Sequence, residues 1–455
     1  MKKDWFVCLK KMLYAAVLLG IVLGQSCGPM GEMESADHQT ATETTLAWNR
    51  LMLDLERYTP GYRPPVSARM FAYVEIAAYE ASLPDLEGFV SLEQYFPGYA
   101  KPAIVVAKGQ FHLPTSLNAA YAQILRDFFP TTPNHLKKRI DALEETHARR
   151  FHEIIDSRIL DQSKTFGQAV SKAVWQWSMN DKEGHDAFLY NYDRNFEPEN
   201  CTGCWKPNGK RSIPALLPNW GKTRSFVVPT SEVSVKPPLP FDESPGSAMY
   251  TDAVEVFSLS HPLSKENRWI AELWSDDLPG LTVTPAGRWI SIANQALEQA
   301  NLPFTKVIET YLKTALALCD ISIITWQAKY TFNRERPESY IHRVMKTEWS
   351  PLHDNPSFPS YPSGHAGFGA AAAEVLTAQL GEHFNLTDRT HEKRQEFTGK
   401  PRTYQSFTEM AQENATSRVL LGVHYRMDCK EGLRLGKIVG QKVNGMSLRR
   451  SEAGL

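Results

Sequence analysis

Beyond its first 26 residues the chain has no apolar run near the roughly 20 residues that a membrane-crossing helix needs, which argues against a protein built of such helices. It lacks a charge surplus of either sign: 50 Lys and Arg stand against 51 Asp and Glu, a formal charge of −1. No overall basic field is present to gather nucleic acid, so any anion site must be local. Internal repeats and low-complexity tracts are absent, and alternating strand patterns are scarce. With 42% hydrophobic and 22% charged residues, 455 residues give an ordinary globular composition with material for a sizeable core, and leave the number of domains open.

The first 26 residues read as a secretory signal. Lys2, Lys3, Lys10 and Lys11 precede or flank the apolar run Met12 to Leu23, and Gly24 and Ser26 follow it. Ser26-Cys27 resembles the end of a bacterial lipoprotein box, with Cys27 as the lipid-bearing residue, although Gly24 stands where that box normally has Leu. Removing residues 1–26 takes away four lysines and Asp4, moving the formal charge from −1 to −4. The expected location is the periplasm or cell envelope, with a membrane tether through Cys27. Cysteine is also sparse: six in all, of which Cys201, Cys204, Cys319 and Cys429 lie past Cys27. Cys201-Thr-Gly-Cys204 has no second such pair or close His pair, so it suits a local disulfide or free thiols in an exported loop better than zinc.

What the sequence has in abundance is helical spacing. Met70, Tyr73, Val74, Ala77 and Ala81 recur at three- and four-residue steps until Pro84. Similar runs cover 43–58, 115–129, 134–157, 163–179, 247–258, 263–274, 286–300, 303–330, 365–381, 404–422 and 425–443, giving a mainly α class built from helical bundles. Thr284-Pro285 supplies a capping hydroxyl followed by a proline at the first helical position. Nine prolines fall in the 48 residues from 198 to 245, so this stretch is expected as a long extended connection. It separates an N-terminal helical half, 27–197, from a C-terminal half, 246–446, although both can share one core.

Three blocks place polar groups in this apolar background. They are Lys329-Tyr-Thr-Phe-Asn-Arg-Glu-Arg336-Pro337, Pro362-Ser363-Gly364-His365, and Ser417-Arg418-Val-Leu-Leu-Gly-Val-His424-Tyr-Arg-Met-Asp428. A tetrahedral oxyanion with two or three charges needs fixed cations, and Lys329, Arg336 and Arg418 supply one point charge and two planar forks. The spacing predicts Lys329 and Arg336 on a shared helical face, with Pro337 ending that helix. Ser363 and Gly364 open the next helical run, where a hydroxyl and free backbone N–H groups face an anion. His424 and Asp428, four residues apart, are expected on one helical face, the carboxylate taking one imidazole N–H.

In this order the blocks resemble the signature of the vanadium haloperoxidase and type-2 phosphatidic acid phosphatase superfamily, most closely over residues 321–436. Phe358-Pro-Ser-Tyr-Pro-Ser-Gly-His-Ala-Gly-Phe and the third block are closer to the haloperoxidase branch. Trp274-Ser-Asp-Asp and Thr282 to Trp289 resemble a stretch of exported bacterial haloperoxidase-like chains. The resemblance implies a helical-bundle fold and an oxyanion pocket in the C-terminal half, within residues 329–428. It implies either vanadate bound at His424 of a haloperoxidase acting on hydrogen peroxide and halide, or a cofactor-free periplasmic acid phosphatase acting on phosphate esters with His424 as nucleophile. His365 is the implied acid–base residue in both, and Trp326 and Phe358 match places near the halide site of chloroperoxidase-like members. The more than 300 residues before Lys329 favour the haloperoxidase. No nucleic-acid partner is expected, and the oligomeric state is left open.

Overall fold

The computed structural model describes residues 35–107, 109–207, 213–396 and 398–450. Apolar periodicity becomes helix along most of the chain. Among the described residues, fourteen α-helices make the protein 59% helical, and strands are confined to two short antiparallel pairs, Tyr192–Asp193 with Ala215–Leu216 and Leu386–Asp388 with Arg402–Tyr404. The first six helices are α1 (Ala36–Tyr58), α2 (Pro64–Ser82), α3 (Leu113–Phe128), α4 (Asn134–His152), α5 (Ser157–Met179) and the single turn α6 (Lys182–His185). After the proline-rich connection come α7 (Ala248–Ser260), α8 (Lys265–Leu273), α9 (Pro285–Ala300), α10 (Phe304–Phe332), α11 (Pro337–Met345), α12 (Gly364–Leu380), α13 (Phe407–Leu420) and α14 (Arg426–Asn444). No described helix is long and apolar enough to cross a membrane. The expected signal sequence and Cys27 lie outside the described residues.

Helix starts follow capping chemistry. Thr284 accepts from the Gly287 N–H at 3.2 Å with Pro285 as the first helical residue of α9, as the sequence predicts. The run expected over 134–157 is interrupted, because α4 stops at His152 and Asp156 accepts the Arg158 N–H to begin α5. The chemistry-bearing junction also departs from expectation. α10 ends at Phe332, Asn333 turns left-handed at φ 43°, and Arg336 is the extended N-cap of α11. Pro337 thus starts a helix where it was expected to end one, since its missing N–H costs nothing at a first position. Lys329 and Arg336 therefore share no helical face.

One hydrophobic core runs from Ala41 to Leu448 and takes side chains from helices on both sides of the connection. Every residue of α2 is buried, and it packs on α10, whose apolar residues surround its axis. The connection is tied down at Asp320 of α10, whose carboxylate accepts the backbone N–H groups of Phe226, Val227 and Val228 at 2.8, 2.8 and 2.7 Å. The strongest helix pair for function is α12 on α14. A Cβ on Gly432, Gly436 or Gly440 would come within 2.4 Å of Ser363 O, 2.3 Å of Gly367 O or 2.6 Å of the Glu374 Cβ. Only a glycine ridge lets α14 approach so closely, and that approach presses the start of α12 against Asp428: the Ser363 N–H donates to Asp428 O at 3.0 Å.

Candidate oxyanion site

Five short segments converge at the C-terminal end of α10. Lys329 sits in its last turn, Arg336 caps α11, residues 358–363 lead into α12, Arg418 ends α13, and His424 lies in the turn before α14. The loop from Phe358 to Pro362 binds the cations through its carbonyls. Lys329 Nζ donates to Pro359 O, Ser360 O and Pro362 O at 3.0, 2.9 and 2.6 Å. Arg336 donates to Phe358 O, again to Pro359 O, to Val423 O at 2.7 Å and to His424 Nε2 at 3.2 Å. Arg418 Nη1 donates to Trp274 O at 3.2 Å, while its Nε has no partner among the described residues. Ser363 caps α12 and accepts the Ala366 N–H, leaving Gly364 as the first residue of that helix.

All of these groups are buried, and the electrostatics follow from that. Burial, then the neighbouring Arg336 cation, pushes Lys329 well below its usual ammonium range. Burial pulls Arg336 down to about 9, with Arg418 repelling it and Asp428 opposing, and burial pulls Arg418 down to about 10. A guanidinium does not give up its proton under ordinary conditions, so the downward shifts express chiefly the cost of burying these charges. Asp428 faces both Lys329 and Arg336, while Arg418 feels Asp276 and Asp277, which also pair with Arg288 and Arg63. Three buried cations so close together, with an Arg418 Nε that has no partner among the described residues, fit a tetrahedral oxyanion.

His424 and Asp428 meet, though not on one helical face as predicted. His424 precedes α14; Tyr425 is its N-cap, and Asp428 is its third residue. Asp428 Oδ2 accepts the Tyr425 N–H at 3.1 Å and receives His424 Nδ1 at 2.9 Å, so a helix cap doubles as the imidazole's partner. Ser360 Oγ donates to the same oxygen. Burial raises Asp428 to about 6 against these bonds. With Nδ1–H held there, Nε2 is left as the lone-pair nitrogen, and burial followed by the Arg336 cation keeps the ring neutral by pushing His424 well below its usual range.

His365 is the second residue of α12. Burial and then Arg418 hold its imidazole well below the ordinary range; it shares a hydrogen bond with the Asp276 backbone, and its Nε2 has no partner among the described residues. Trp326 and Phe358 form the apolar wall. Their rings are 4.9 Å apart, Lys329 Nζ and the Arg336 guanidinium lie 5.0 and 4.9 Å from the Phe358 centroid, and the Gly364 position touches the Trp326 ring. Every site residue expected from the sequence is thus drawn into one cluster. Ser360 was missed, although it lies within the quoted Phe358-to-Phe368 string; only its contact to Asp428 marks it. Asp276 was seen only as part of a resemblance. The four loop carbonyls carried no side-chain signal at all.

The described residues contain one disulfide, Cys201–Cys204, which decides the open reading of that pair.

With this geometry in view, the comparisons with known proteins agree. Residues 344–452 match the family described as the VCPO second helical-bundle domain. The vanadium chloroperoxidase of Curvularia inaequalis is 22% identical, over 85% of this chain and 79% of its own length. The vanadium-dependent bromoperoxidase of Ascophyllum nodosum is 35% identical over 94 residues, 19% of this chain and 17% of that protein. Among solved structures, a bacterial vanadium-dependent iodoperoxidase superposes with a TM-score of 0.76 at 25% identity, covering 90% of this chain and 98% of that one. In sequence and in fold the chain is thus similar to vanadium haloperoxidases. A holo-type bacterial vanadium-dependent chloroperoxidase, at 17% identity and a TM-score of 0.65 over 86% of this chain and 93% of that one, shares the fold.

Proposed function

We propose that this chain is a vanadate-dependent haloperoxidase that oxidises halide with hydrogen peroxide in the cluster around His424. The observation that carries this is the buried cluster of Lys329, Arg336 and Arg418 facing a histidine nitrogen whose tautomer Asp428 sets. Vanadate, when bound, supplies a Lewis-acidic centre that activates peroxide toward halide. The remaining work falls to the chain. Lys329, Arg336 and Arg418 balance the oxyanion's charge, and Ser363 Oγ with the Gly364 N–H at the start of α12 holds its oxygens. His424 Nε2 offers the ligating lone pair while Nδ1–H stays on Asp428. His365 Nε2, without a partner among the described residues, accepts a proton from the incoming peroxide and returns it to the departing oxygen. Trp326 and Phe358 exclude water and present an apolar, cation-backed surface to the halide. With one further proton taken up from solvent, the products are hypohalous acid and water.

Purified chain assayed in parallel decides the reading: halide oxidation with added vanadate and peroxide, and phosphate-ester hydrolysis without either. The proposal expects the first and little of the second; hydrolysis alone would transfer His424 to the role of nucleophile. We also propose export, on the strength of the N-terminal sequence pattern, with Cys27 lipidated and the mature enzyme held at the cell envelope. Mass spectrometry of the mature protein tests this: an unmodified Cys27 in a cleaved chain excludes the tether.

A further inference from the structure

We infer that the Cys201–Cys204 disulfide turn is a positioning element for the oxyanion site, so that its reduction weakens oxyanion binding without unfolding the protein; the identity of the oxyanion rests on the functional reading above. The turn lies far from the site in sequence but is stitched to the segment that joins Lys329 to Arg336. Cys204 bridges antiparallel to Arg334, the Glu335 N–H donates to Gly203 O at 3.0 Å, and the Trp205 N–H donates to Asn333 O at 2.8 Å. The next link is one bond away: Arg334 O accepts the Ser360 N–H at 2.9 Å. Ser360 is the residue whose carbonyl receives Lys329 and whose hydroxyl holds Asp428, the partner of His424. Arg336 follows directly on the stitched segment.

Residues 333–335 lie in no helix, and their two bonds to the turn help fix their path between α10 and α11, alongside Arg334 to Leu239 O at 2.9 Å, the Glu335–Arg343 ion pair and the Ser360 bond. The turn itself is held by the cross-link around Gly203, whose φ of 81° and close approach to the Phe241 ring leave no room for a side chain. Opening the cross-link returns conformational freedom to a four-residue loop that has little core of its own. Cys201 is exposed, so a dithiol reaches the bond, while Cys319 and Cys429 are buried free thiols. In the reaction a dithiol gives up two electrons and two protons; the S–S bond breaks to two cysteine thiols, and the reductant leaves as its own disulfide.

The test titrates vanadate, and separately inorganic phosphate, calorimetrically into the same protein preparation, oxidised and then dithiol-reduced, with thiols counted by mass and far-UV circular dichroism followed throughout. A Cys201→Ser/Cys204→Ser variant is measured alongside. The expected result is about tenfold weaker binding of both anions in the reduced protein and in the variant, with the helical signal kept. Reoxidation with hydrogen peroxide, which forms the disulfide and two waters, should restore affinity in the wild type and not in the variant. Equal affinities in fully reduced and oxidised protein overturn the inference, as does a loss that appears only together with the loss of helical signal. Failure of either redox form to bind any oxyanion would instead sink the functional reading.

Discussion

Two buried arginine clusters in the C-terminal half carry opposite electrostatics. Arg288 is wholly buried and donates to Asp388, with Asp276 beside it at 3.5 Å; these carboxylates raise its affinity for its proton despite burial. Arg336 is equally buried, yet its donors go to backbone carbonyls and a neutral histidine, and it is pulled down to about 9. Both clusters exclude water. The difference is that Arg288 has two carboxylates to itself or nearly so, whereas Lys329 and Arg336 share Asp428, and Arg418 has only Asp276 and Asp277, which already pair with Arg288 and Arg63. A buried cation with its own carboxylate holds the fold together; a surplus of them stores an unmet demand for an anion.

The largest effect that sharpens this contrast is at the surplus cluster's ligating nitrogen. His424→Ala should lower halide oxidation at least about a hundredfold, because it removes the ligating group itself. Asp428→Asn should cost less, since the ring remains and only its tautomer is poorly set. His365→Ala should suppress turnover while leaving vanadate affinity near the wild-type value, measured by calorimetry. Undiminished turnover in either histidine variant would mean the roles are assigned to the wrong residues.

Next come the arginines. Arg288→Ala strands Asp388 and should destabilise the fold by about 3–5 kcal/mol, seen as a lower midpoint in urea. Arg336→Ala should do the reverse: roughly a hundredfold weaker vanadate binding, with a far smaller change in the urea midpoint. If both variants lost stability alike, the two clusters would not differ as described.

That comparison also marks what the sequence could and could not reveal. The helical class, the extended connection and the cations of the site were legible because period and residue type carry them. Arg336 joins the cluster, but not for the reason its spacing suggests. The seven-residue spacing from Lys329 suggested one face of one helix, but Asn333 in the left-handed region breaks the helix, and Pro337 is as good a helix start as it is a stop. His424 and Asp428 met as expected, yet through a cap. Ser360 and the loop carbonyls were invisible, because backbone acceptors have no residue signature. The glycine ridge on α14 was equally silent, since its meaning lies in what it lets approach.

Smaller effects follow. Saturating vanadate or phosphate should raise the thermal midpoint of the wild type, by about 3 kcal/mol of added stability at a hundredfold excess over Kd. The rise should vanish in Arg336→Ala. Glu75, buried in α2 beside Tyr121, is raised by burial to about 8. Its folded value lies above the unfolded one, so the stability it contributes is full below about pH 4.5 and is lost as pH rises toward 8. Glu75→Gln does not titrate, and its midpoint should therefore gain on the wild type between pH 5 and pH 8 on the order of a few kcal/mol. A gap independent of pH would mean that Glu75 ionises freely in the fold.

The most direct measurement is calorimetric titration of vanadate into the purified protein, wild type beside His424→Ala and Arg336→Ala. The account predicts one vanadate bound per chain in the wild type, with binding lost or weakened at least about a hundredfold in each variant. Binding of equal strength in all three proteins would contradict it.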